Sequence, residues 1–358
     1  MFKTEVCEIL QIDYPILLAG MAGGPTTPEL VAAVSNAGGL GTLGGAYLKP
    51  PALREAIQKI RQLTDKPFSV NLFSTDMNES SEGYLKVQEI LNEFRRELGI
   101  PHSTEKPVVT DLFDEQFQVL LDEEVPIIST AFGLLPSVKM KAAKEAGMKV
   151  ISMATTVEEG LMAQQQGVDI VVAQGSDAGG HRGTFDVDKY PNGANIGTFS
   201  LIPQMKHNLK IPVIAAGGVM NGQGLAASLL LGASGVQMGT RFLTSIESGA
   251  HPAYQKALLN STEDQIVLTK SFSGRPAKGI QNKFIHDFED SGTKPLPFPS
   301  QNSLTGDIRR AAATKENPDY MSLWAGQGIR LLKDGLSAKE IIEEILGEAV
   351  AAIKELST

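Results

Sequence analysis

The chain has 358 residues, 42% of them hydrophobic, and a formal net charge of −9. Its length and apolar content suffice for one large α/β domain with additions. The acidic balance, with no basic run, argues against nucleic acid as the main partner and against a polybasic membrane contact, because both require clustered Lys and Arg.

The N-terminal segment carries no recognisable targeting signal. Residues 1–7 alternate charged and apolar side chains, so no signal peptide is expected. No window reaches about 18 uninterrupted apolar residues, so no membrane-spanning helix is expected. Cys7 is the only cysteine, which excludes an internal disulfide and suits a reducing compartment. We therefore expect a soluble, cytoplasmic protein.

Short apolar runs alternate with amphipathic segments along the chain, a pattern typical of repeated strand and helix units. The predicted strands are residues 16–19, 40–43, 68–72, 126–129, 150–153, 170–173, 212–215 and 235–238. The predicted helices between them are residues 28–37, 51–64, 115–123, 137–146, 156–166 and 222–231. Eight parallel strands with intervening helices favour a TIM barrel, and a doubly wound open sheet is the alternative.

Some regions interrupt this rhythm. Residues 74–114 are polar and predict an insertion after the third strand, with a helix near 82–98. Residues 184–199 predict a long loop, and residues 264–280 contain a possible strand pair. The predicted fold is thus a barrel with a small lid, divided into barrel residues 1–73 and 115–260, an insertion at 74–114, a lid at 261–335 and a helix docked on the barrel at 336–358.

A glycine-rich turn follows the predicted sixth strand, from Gln174 to Gly183. Gly179 and Gly180 allow a sharp bend or a close approach of the backbone to a ligand. His181 follows them, just beyond the C-terminal end of the strand, where barrel enzymes carry their catalytic residues. The turn favours His181 as a catalytic residue; the alternative is a surface histidine on a tight turn.

A second glycine cluster follows the predicted seventh and eighth strands. Gly217 and Gly218 end the first of these strands, and Gly239 and Thr240 end the second, with a possible short helix at 240–245. Barrel enzymes often bind phosphate with these two loops and a short extra helix. The alternative is that the glycines only close tight turns. No Gly-x-Gly-x-x-Gly follows the first strand, which disfavours a Rossmann dinucleotide site.

The residues of these two clusters resemble those of a known family. Residues 174–183 and 211–241 are similar to the nitronate monooxygenase family, formerly called 2-nitropropane dioxygenases, which has flavin-dependent enoyl-acyl-carrier-protein reductases as close relatives. Further segments resemble other blocks of that family, so the resemblance extends from about residue 10 to about residue 332; these segments are 14–23, 68–73, 273–279 and 323–328.

The resemblance implies an FMN-binding barrel. It places the flavin ring against the turn after the first strand, with amide side chains at the edge of the ring and the phosphate on the second glycine cluster. The cofactor-binding residues implied in this way are Ala19, Gly20, Met21, Asn71, Gln174, Gly179, Gly180, Gly217, Gly218, Gln237, Met238, Gly239 and Thr240.

The resemblance also implies an activity. The expected reaction is the oxidation of alkyl nitronates, such as propionate 3-nitronate, with O2 to a carbonyl compound and nitrite or nitrate. His181 would hold the anionic nitro oxygens with an imidazole able to carry positive charge, or act as a base for neutral nitroalkanes. Some family members place a further histidine after the fourth strand, where this chain has Thr130, Ala131 and Phe132.

Other functions stay open at this point. A flavin-dependent enoyl-thioester reductase or an NADH:quinone reductase would use the same barrel with a nicotinamide donor. A barrel enzyme without flavin would leave the His181 turn unexplained, and a non-catalytic flavin-binding protein would not need His181. The other histidines show no metal-ligand spacing, so no metal is expected. The oligomeric state is open, with a homodimer as one option.

Overall fold

The computed structural model describes residues 2–78 and 80–356. Over these residues the chain forms strands β1 (Ile16–Leu18), β2 (Gly41–Gly44), β3 (Phe68–Phe73), β4 (Ile127–Ala131), β5 (Lys149–Ala154), β6 (Ile170–Gln174), β7 (Gly180–His181), β8 (Val213–Ala216), β9 (Gly235–Met238), β10 (Ile266–Thr269) and β11 (Ala277–Ile280). The eight strands predicted for the barrel are confirmed, with ends shifted by one or two residues.

Eight strands form one parallel sheet in the order β1-β9-β8-β6-β5-β4-β3-β2. The sheet closes on itself through Leu40, just before β2. The Leu40 N–H donates to the Ile16 carbonyl, and the Leu18 N–H donates to the Leu40 carbonyl, both at 2.9 Å. The fold is therefore the predicted TIM barrel, and the open-sheet alternative is wrong.

The helices are α1 (Glu5–Leu10), α2 (Pro28–Asn36), α3 (Pro50–Leu63), α4 (Tyr84–Glu97), α5 (Phe113–Asp122), α6 (Ser137–Glu145), α7 (Val157–Gln166), α8 (Thr198–Asn208), α9 (Gly222–Leu230), α10 (Pro252–Leu259), α11 (Lys283–Asp290), α12 (Ser300–Leu304), α13 (Gly306–Thr314) and α14 (Ala338–Leu356). The six helices predicted between barrel strands are confirmed. Helix α8 was not predicted, because Pro203 interrupts its pattern and proline is a poor residue for a helix interior.

The barrel is closed at one end and covered on its outside by apolar packing. Val6, Cys7 and Leu10 of α1 pack against strand residues that include Ile127 and Ile170. Helix α14 contributes a run of buried apolar residues, from Ala338 to Ala349, to the cluster around the barrel. Within the described part of the chain, no helix is long and apolar enough to cross a membrane.

A second apolar cluster joins the insertion to the C-terminal part of the chain. Leu91 and Phe94 of α4 belong to the same cluster as Phe272 and Phe284. Arg95 is 1% exposed, and its Nε donates to Asp307 Oδ2 at 2.7 Å. This packing supports a lid built from both segments, while the domain boundaries given above stay predictions.

A small antiparallel sheet connects the lid to the His181 turn. Its strand order is β10-β11-β7, and Ala277 of β11 pairs with His181 of β7. The strand pair expected within 264–280 is confirmed as β10 and β11. The sequence did not indicate β7, because a strand of two residues has no periodicity.

Candidate active site

A cavity of about 530 Å³ lies at the C-terminal ends of the barrel strands, between the barrel and the lid. It brings together every residue that the sequence indicated for the site. These residues are Ala19, Gly20, Met21, Asn71, Gln174, Gly179, Gly180, His181, Gly217, Gly218, Gln237, Met238, Gly239 and Thr240.

The turns after β8 and β9 form a cradle of backbone donors. Gly217 and Gly218 have φ of 115° and 71°, a left-handed conformation that favours glycine. The N–H groups of Gly217, Gly218, Gly239 and Thr240 donate to no other residue among those described. The Thr240 Oγ1 accepts from the Gly326 N–H at 3.0 Å, so its own hydrogen stays available. Free N–H groups of successive residues are the donors that bind anions.

The turn after β1 lies beside this cradle. The Ala19 N–H donates to the Met238 carbonyl at 2.9 Å, which ties the turn to β9. A Cβ on Gly20 would lie 3.1 Å from Thr42 Cγ2 and closer still to Asn71, so the close packing requires a glycine. Met21 completes the turn and lines the cavity. A flat ligand can therefore approach the backbone at this turn.

Three amide side chains line the cavity, and they differ in what they can still bind. Asn71 Nδ2 donates to Ser129 Oγ at 2.9 Å, which leaves Asn71 Oδ1 without a described partner. The Gln237 amide has no hydrogen-bond partner among the described residues, although the residue is only 7% exposed. Gln174 is engaged at both ends: Nε2 donates to the His181 carbonyl at 3.0 Å, and Oε1 accepts from the Gly183 N–H at 2.8 Å. Gln174 thus holds the His181 turn.

His181 is oriented by the lid. Its Nε2 shares a hydrogen bond of 2.8 Å with Ser273 Oγ, and the tautomer decides which atom donates. Ser273 Oγ also lies 3.2 Å from the Arg275 carbonyl, to which it can donate. The Arg275 N–H donates to Ser273 Oγ at 3.3 Å. The serine hydroxyl therefore links the imidazole to the loop that contains Arg275.

Aromatic rings surround the imidazole. The ring centroids of Phe132, Phe298 and Trp324 lie 5.8, 6.4 and 5.2 Å from that of His181. Phe132 has a φ of 74°, which is rare for a residue with a side chain and is associated with functional sites. Trp324 lines the cavity, so it forms part of the site wall.

The surroundings of His181 favour the neutral form of the imidazole. Burial, together with the positive charges of Arg275 and Arg309, lowers the pKa of His181 to about 3. These surroundings favour a neutral imidazole, whereas the expected role uses an imidazole able to carry positive charge beside an anionic substrate. The positive charge comes from arginines instead. Arg275 lies 4.0 Å from the centroid of the Phe132 ring, and burial lowers its pKa to about 10, so it stays charged at pH 7.

The sequence missed most of the lid side chains in this site. They come from three places in the tail and share no spacing motif; they are Ser273 with Arg275, then Phe298, then Arg309. The only signal was the resemblance of residues 273–279 to a family block. Arg275 faces the ring of Phe132, which directly follows β4.

Comparison with known proteins identifies the family. The family model described as nitronate monooxygenase matches residues 3–348. The chain belongs to the nitronate monooxygenase family. It is 43% identical to the probable nitronate monooxygenase of Staphylococcus saprophyticus, over 97% of this chain and 98% of that protein. It is 40% identical to the probable nitronate monooxygenase of Staphylococcus haemolyticus, over 100% of this chain and 99% of that protein.

Solved structures agree with the family assignment. Nitroalkane oxidase from Streptomyces ansochromogenes superposes with a TM-score of 0.90 at 34% identity, covering 98% of this chain and 99% of that one. FabK from Thermotoga maritima gives a TM-score of 0.80 at 32% identity, covering 100% and 99%. This member of the nitronate monooxygenase family is thus an enzyme, a flavin-dependent oxidoreductase.

Proposed function

We propose that this enzyme uses FMN to oxidise alkyl nitronates, such as propionate 3-nitronate, with O2 to a carbonyl compound and nitrite or nitrate. The observation that carries the proposal is one cavity with two parts. One part is a cradle of unpaired N–H groups at Gly217, Gly218, Gly239 and Thr240. The other is an oriented imidazole at His181 beside arginine side chains.

The cradle supports FMN as the flavin. It offers donors for one terminal phosphate, and no second glycine fingerprint suggests a dinucleotide. Asn71 Oδ1 and the Gln237 amide would bind the edge of the ring, while Ala19, Gly20 and Met21 would face it. When bound, the flavin supplies an electron acceptor for the nitronate and an electron donor for O2.

The lid side chains support an anionic substrate. A nitronate is already deprotonated, so the reaction starts without a strong base. A neutral imidazole with its proton on Nδ1 can donate one hydrogen bond to a nitro oxygen. In that tautomer Nε2 accepts from Ser273 Oγ, which then donates to the ring rather than to the Arg275 carbonyl. Arg275 adds positive potential beside the imidazole in a partly dry cavity, where fixed charges act strongly.

The first experiment identifies the cofactor. The purified protein should be yellow, and mass spectrometry of the released chromophore should give FMN rather than FAD. A colourless protein that FMN cannot reconstitute would exclude the proposal.

The second experiment separates the proposed reaction from the reductase alternatives. Under anaerobic conditions, an alkyl nitronate should bleach the flavin within the turnover time, and NADH or NADPH should do so slowly or not at all. Similarity to a nitroalkane oxidase favours this outcome. Fast bleaching by a nicotinamide, with none by nitronate, would favour an enoyl-thioester or quinone reductase.

A further inference from the structure

A second cavity adjoins the first at the lid. It has a volume of about 440 Å³. Part of its wall comes from residues 108–113 of the insertion and part from Phe298, Pro299, Asn302 and Ser303 of the lid. The residues that line both cavities are Tyr47, Phe73, Gly306, Arg309 and Arg310. The side chains at this junction separate an inner chamber, beside His181, from an outer chamber.

Arg309 stands at the junction with an incompletely bonded guanidinium group. Its Nη2 donates to the carbonyl and to Oδ1 of Asn302, at 2.8 and 2.9 Å. Its Nε is buried without a hydrogen-bond partner. Its Nη1 likewise donates to none of the residues that the structure describes. A buried donor without a partner is costly, so such a group marks a place where a ligand atom can contribute.

No carboxylate of the described residues pairs directly with this arginine, although the charge of Asp307 acts on it from a distance. Among the described residues, none with a carboxylate forms an ion pair with Arg309 or Arg310. Asp307, on the same helix, is bound by Arg95 at 2.7 Å. Asp111 lines the outer chamber, but its Oδ1 accepts from the Phe113 N–H at 3.0 Å. The junction therefore keeps an excess of positive charge.

Asp177 is the acidic residue of the inner chamber, and it is also engaged. Its Oδ2 accepts from the N–H and the hydroxyl of Thr198, at 2.8 and 2.6 Å. Arg309, by contrast, is close enough to His181 for its charge to lower the pKa of the imidazole. An anion bound at Arg309 would therefore lie a short distance from the group that faces the reacting atoms.

We infer that Arg309 determines substrate specificity at this site by binding a carboxylate that a short chain connects to the nitronate. The inference rests on the proposed function. The nitronate end occupies the inner chamber beside His181, and the carboxylate end lies at the junction, where the outer chamber gives it an entrance. Substrates with a neutral tail bind without this contact. The charge of Arg309 then discriminates among nitronates of the same length.

The test compares two substrates in two variants. Arg309→Met removes the charge and keeps an unbranched side chain, and Arg309→Lys restores a charge. The substrates are propionate 3-nitronate and the nitronate of 1-nitrobutane, an anion of the same length whose tail is uncharged. Arg309→Met should lower kcat/KM for propionate 3-nitronate about 10- to 100-fold, mainly through KM, as expected for a lost charge-assisted hydrogen bond. The kcat/KM for the nitronate of 1-nitrobutane should change less than about threefold. Arg309→Lys should recover part of the loss on propionate 3-nitronate.

The matched control is Arg96→Met, which removes an exposed arginine of α4 that lines neither cavity. It should leave both substrates unchanged. FMN content and circular dichroism of each variant establish that the holoenzyme is folded. An equal loss on both nitronates in Arg309→Met would overturn the inference, and so would a wild-type enzyme without preference for the carboxylate.

An equilibrium measurement separates this inference from the proposed function. Succinate, a dicarboxylate that cannot react as a nitronate, should perturb the flavin absorbance of the wild type and bind at least tenfold more weakly to Arg309→Met. Arg309-dependent succinate binding without oxidation of either nitronate would support the anion site and contradict the proposed function. Weakened NADPH binding with unchanged succinate binding would overturn the inference in favour of a nucleotide phosphate.

Discussion

The two faces of the active-site cavity contribute different kinds of atoms. The barrel face offers backbone: the turns after β1, β8 and β9 present N–H groups and glycine surfaces. The lid face offers side chains, chiefly the Ser273 hydroxyl, the Arg275 and Arg309 guanidinium groups and the Trp324 ring. His181 belongs to both faces, because its turn leaves β6 and pairs with β11. The barrel face suits a cofactor, and the lid face suits a substrate.

Because the two faces differ in this way, mutations should be able to separate cofactor binding from turnover. A change in the turns after β8 and β9 should affect cofactor binding first, because four N–H groups there have no partner among the described residues. A change in the lid side chains should affect turnover while the cofactor stays bound. Loss of the cofactor from a lid variant, or loss of turnover alone from a barrel-turn variant, would contradict the assignment of the faces.

The largest expected effect is a loss of FMN affinity in Gly239→Val, a change on the barrel face. Gly239 has a φ of −108°, which any residue can adopt. An added Cβ would lie 3.4 Å from both Ala19 Cβ and Met21 Sδ, so the fold should tolerate it. The branched side chain would cover the cradle and keep a phosphate from the N–H groups. We expect the FMN dissociation constant to rise about 100-fold, from the loss of charge-assisted hydrogen bonds, as measured by flavin fluorescence titration.

Gly347→Val is the matched control, because a Cβ at that position on α14 would meet nothing within 4 Å. Its FMN affinity should equal that of the wild type. Gly217 is a less informative site for this test. Gly217 has a φ of 115°, and a Cβ added there would lie 2.8 Å from Thr198 Oγ1. A valine at this position would therefore distort the turn itself. Unchanged affinity in Gly239→Val would place the phosphate elsewhere.

The next largest effect is a loss of kcat on substitution of His181, the residue that belongs to both faces. His181→Asn should keep FMN and lose about 100-fold in kcat, the usual cost of removing one preorganised donor. Because the pKa of His181 is lowered to about 3, the imidazole stays neutral from pH 5 to pH 8. The pH dependence of kcat/KM should therefore have the same shape in wild type and mutant over that range. An inflection near pH 6.5 that only the wild type shows would mean that the imidazole does gain a proton there.

The two faces also differ in how far the sequence predicted them. The barrel strands are continuous apolar runs, and the glycines proposed to bind the cofactor directly follow them. One local pattern therefore predicted both the strands and the glycine turns. The lid residues meet only through tertiary structure: Ser273 lies 92 positions from His181 in the chain. Local pattern cannot indicate such a contact, and only the family resemblance pointed to residues 273–279.

Two helices illustrate the same limit. Helix α8 contains Pro203, so its periodic pattern is broken although its neighbours Leu201, Ile202 and Met205 are fully buried. Helix α11 lies at the start of a stretch rich in proline, glycine and serine. That composition obscures the apolar stripe of the helix, formed by Phe284, Ile285 and Phe288. In both cases burial against the rest of the protein overrides weak local propensity.

A smaller effect is expected for Ser273→Ala, on the lid face alone. The change removes the hydroxyl that shares a 2.8 Å hydrogen bond with His181 Nε2, so the imidazole loses its fixed orientation. We expect kcat to fall about tenfold, as is common when a group that orients a functional residue is lost, with FMN affinity unchanged. Ser273→Thr keeps a hydroxyl and should recover most of the rate. No recovery with Thr, or loss of FMN, would indicate a packing role for Ser273.

The smallest effect is on acid stability, and it tests whether His181 is buried as a neutral group. Its pKa is about 3 in the folded chain and about 6.5 when unfolded. Between these values the unfolded chain binds a proton that the folded chain does not, so stability falls as pH decreases. From pH 7 to pH 5.5 the loss should be about 1 kcal/mol from this residue. Urea unfolding of the wild type and His181→Asn at both pH values measures it, because the other titrating groups are common to both proteins. The wild type should lose about 1 kcal/mol more than the mutant; an equal loss would show that the lid leaves the imidazole in contact with water.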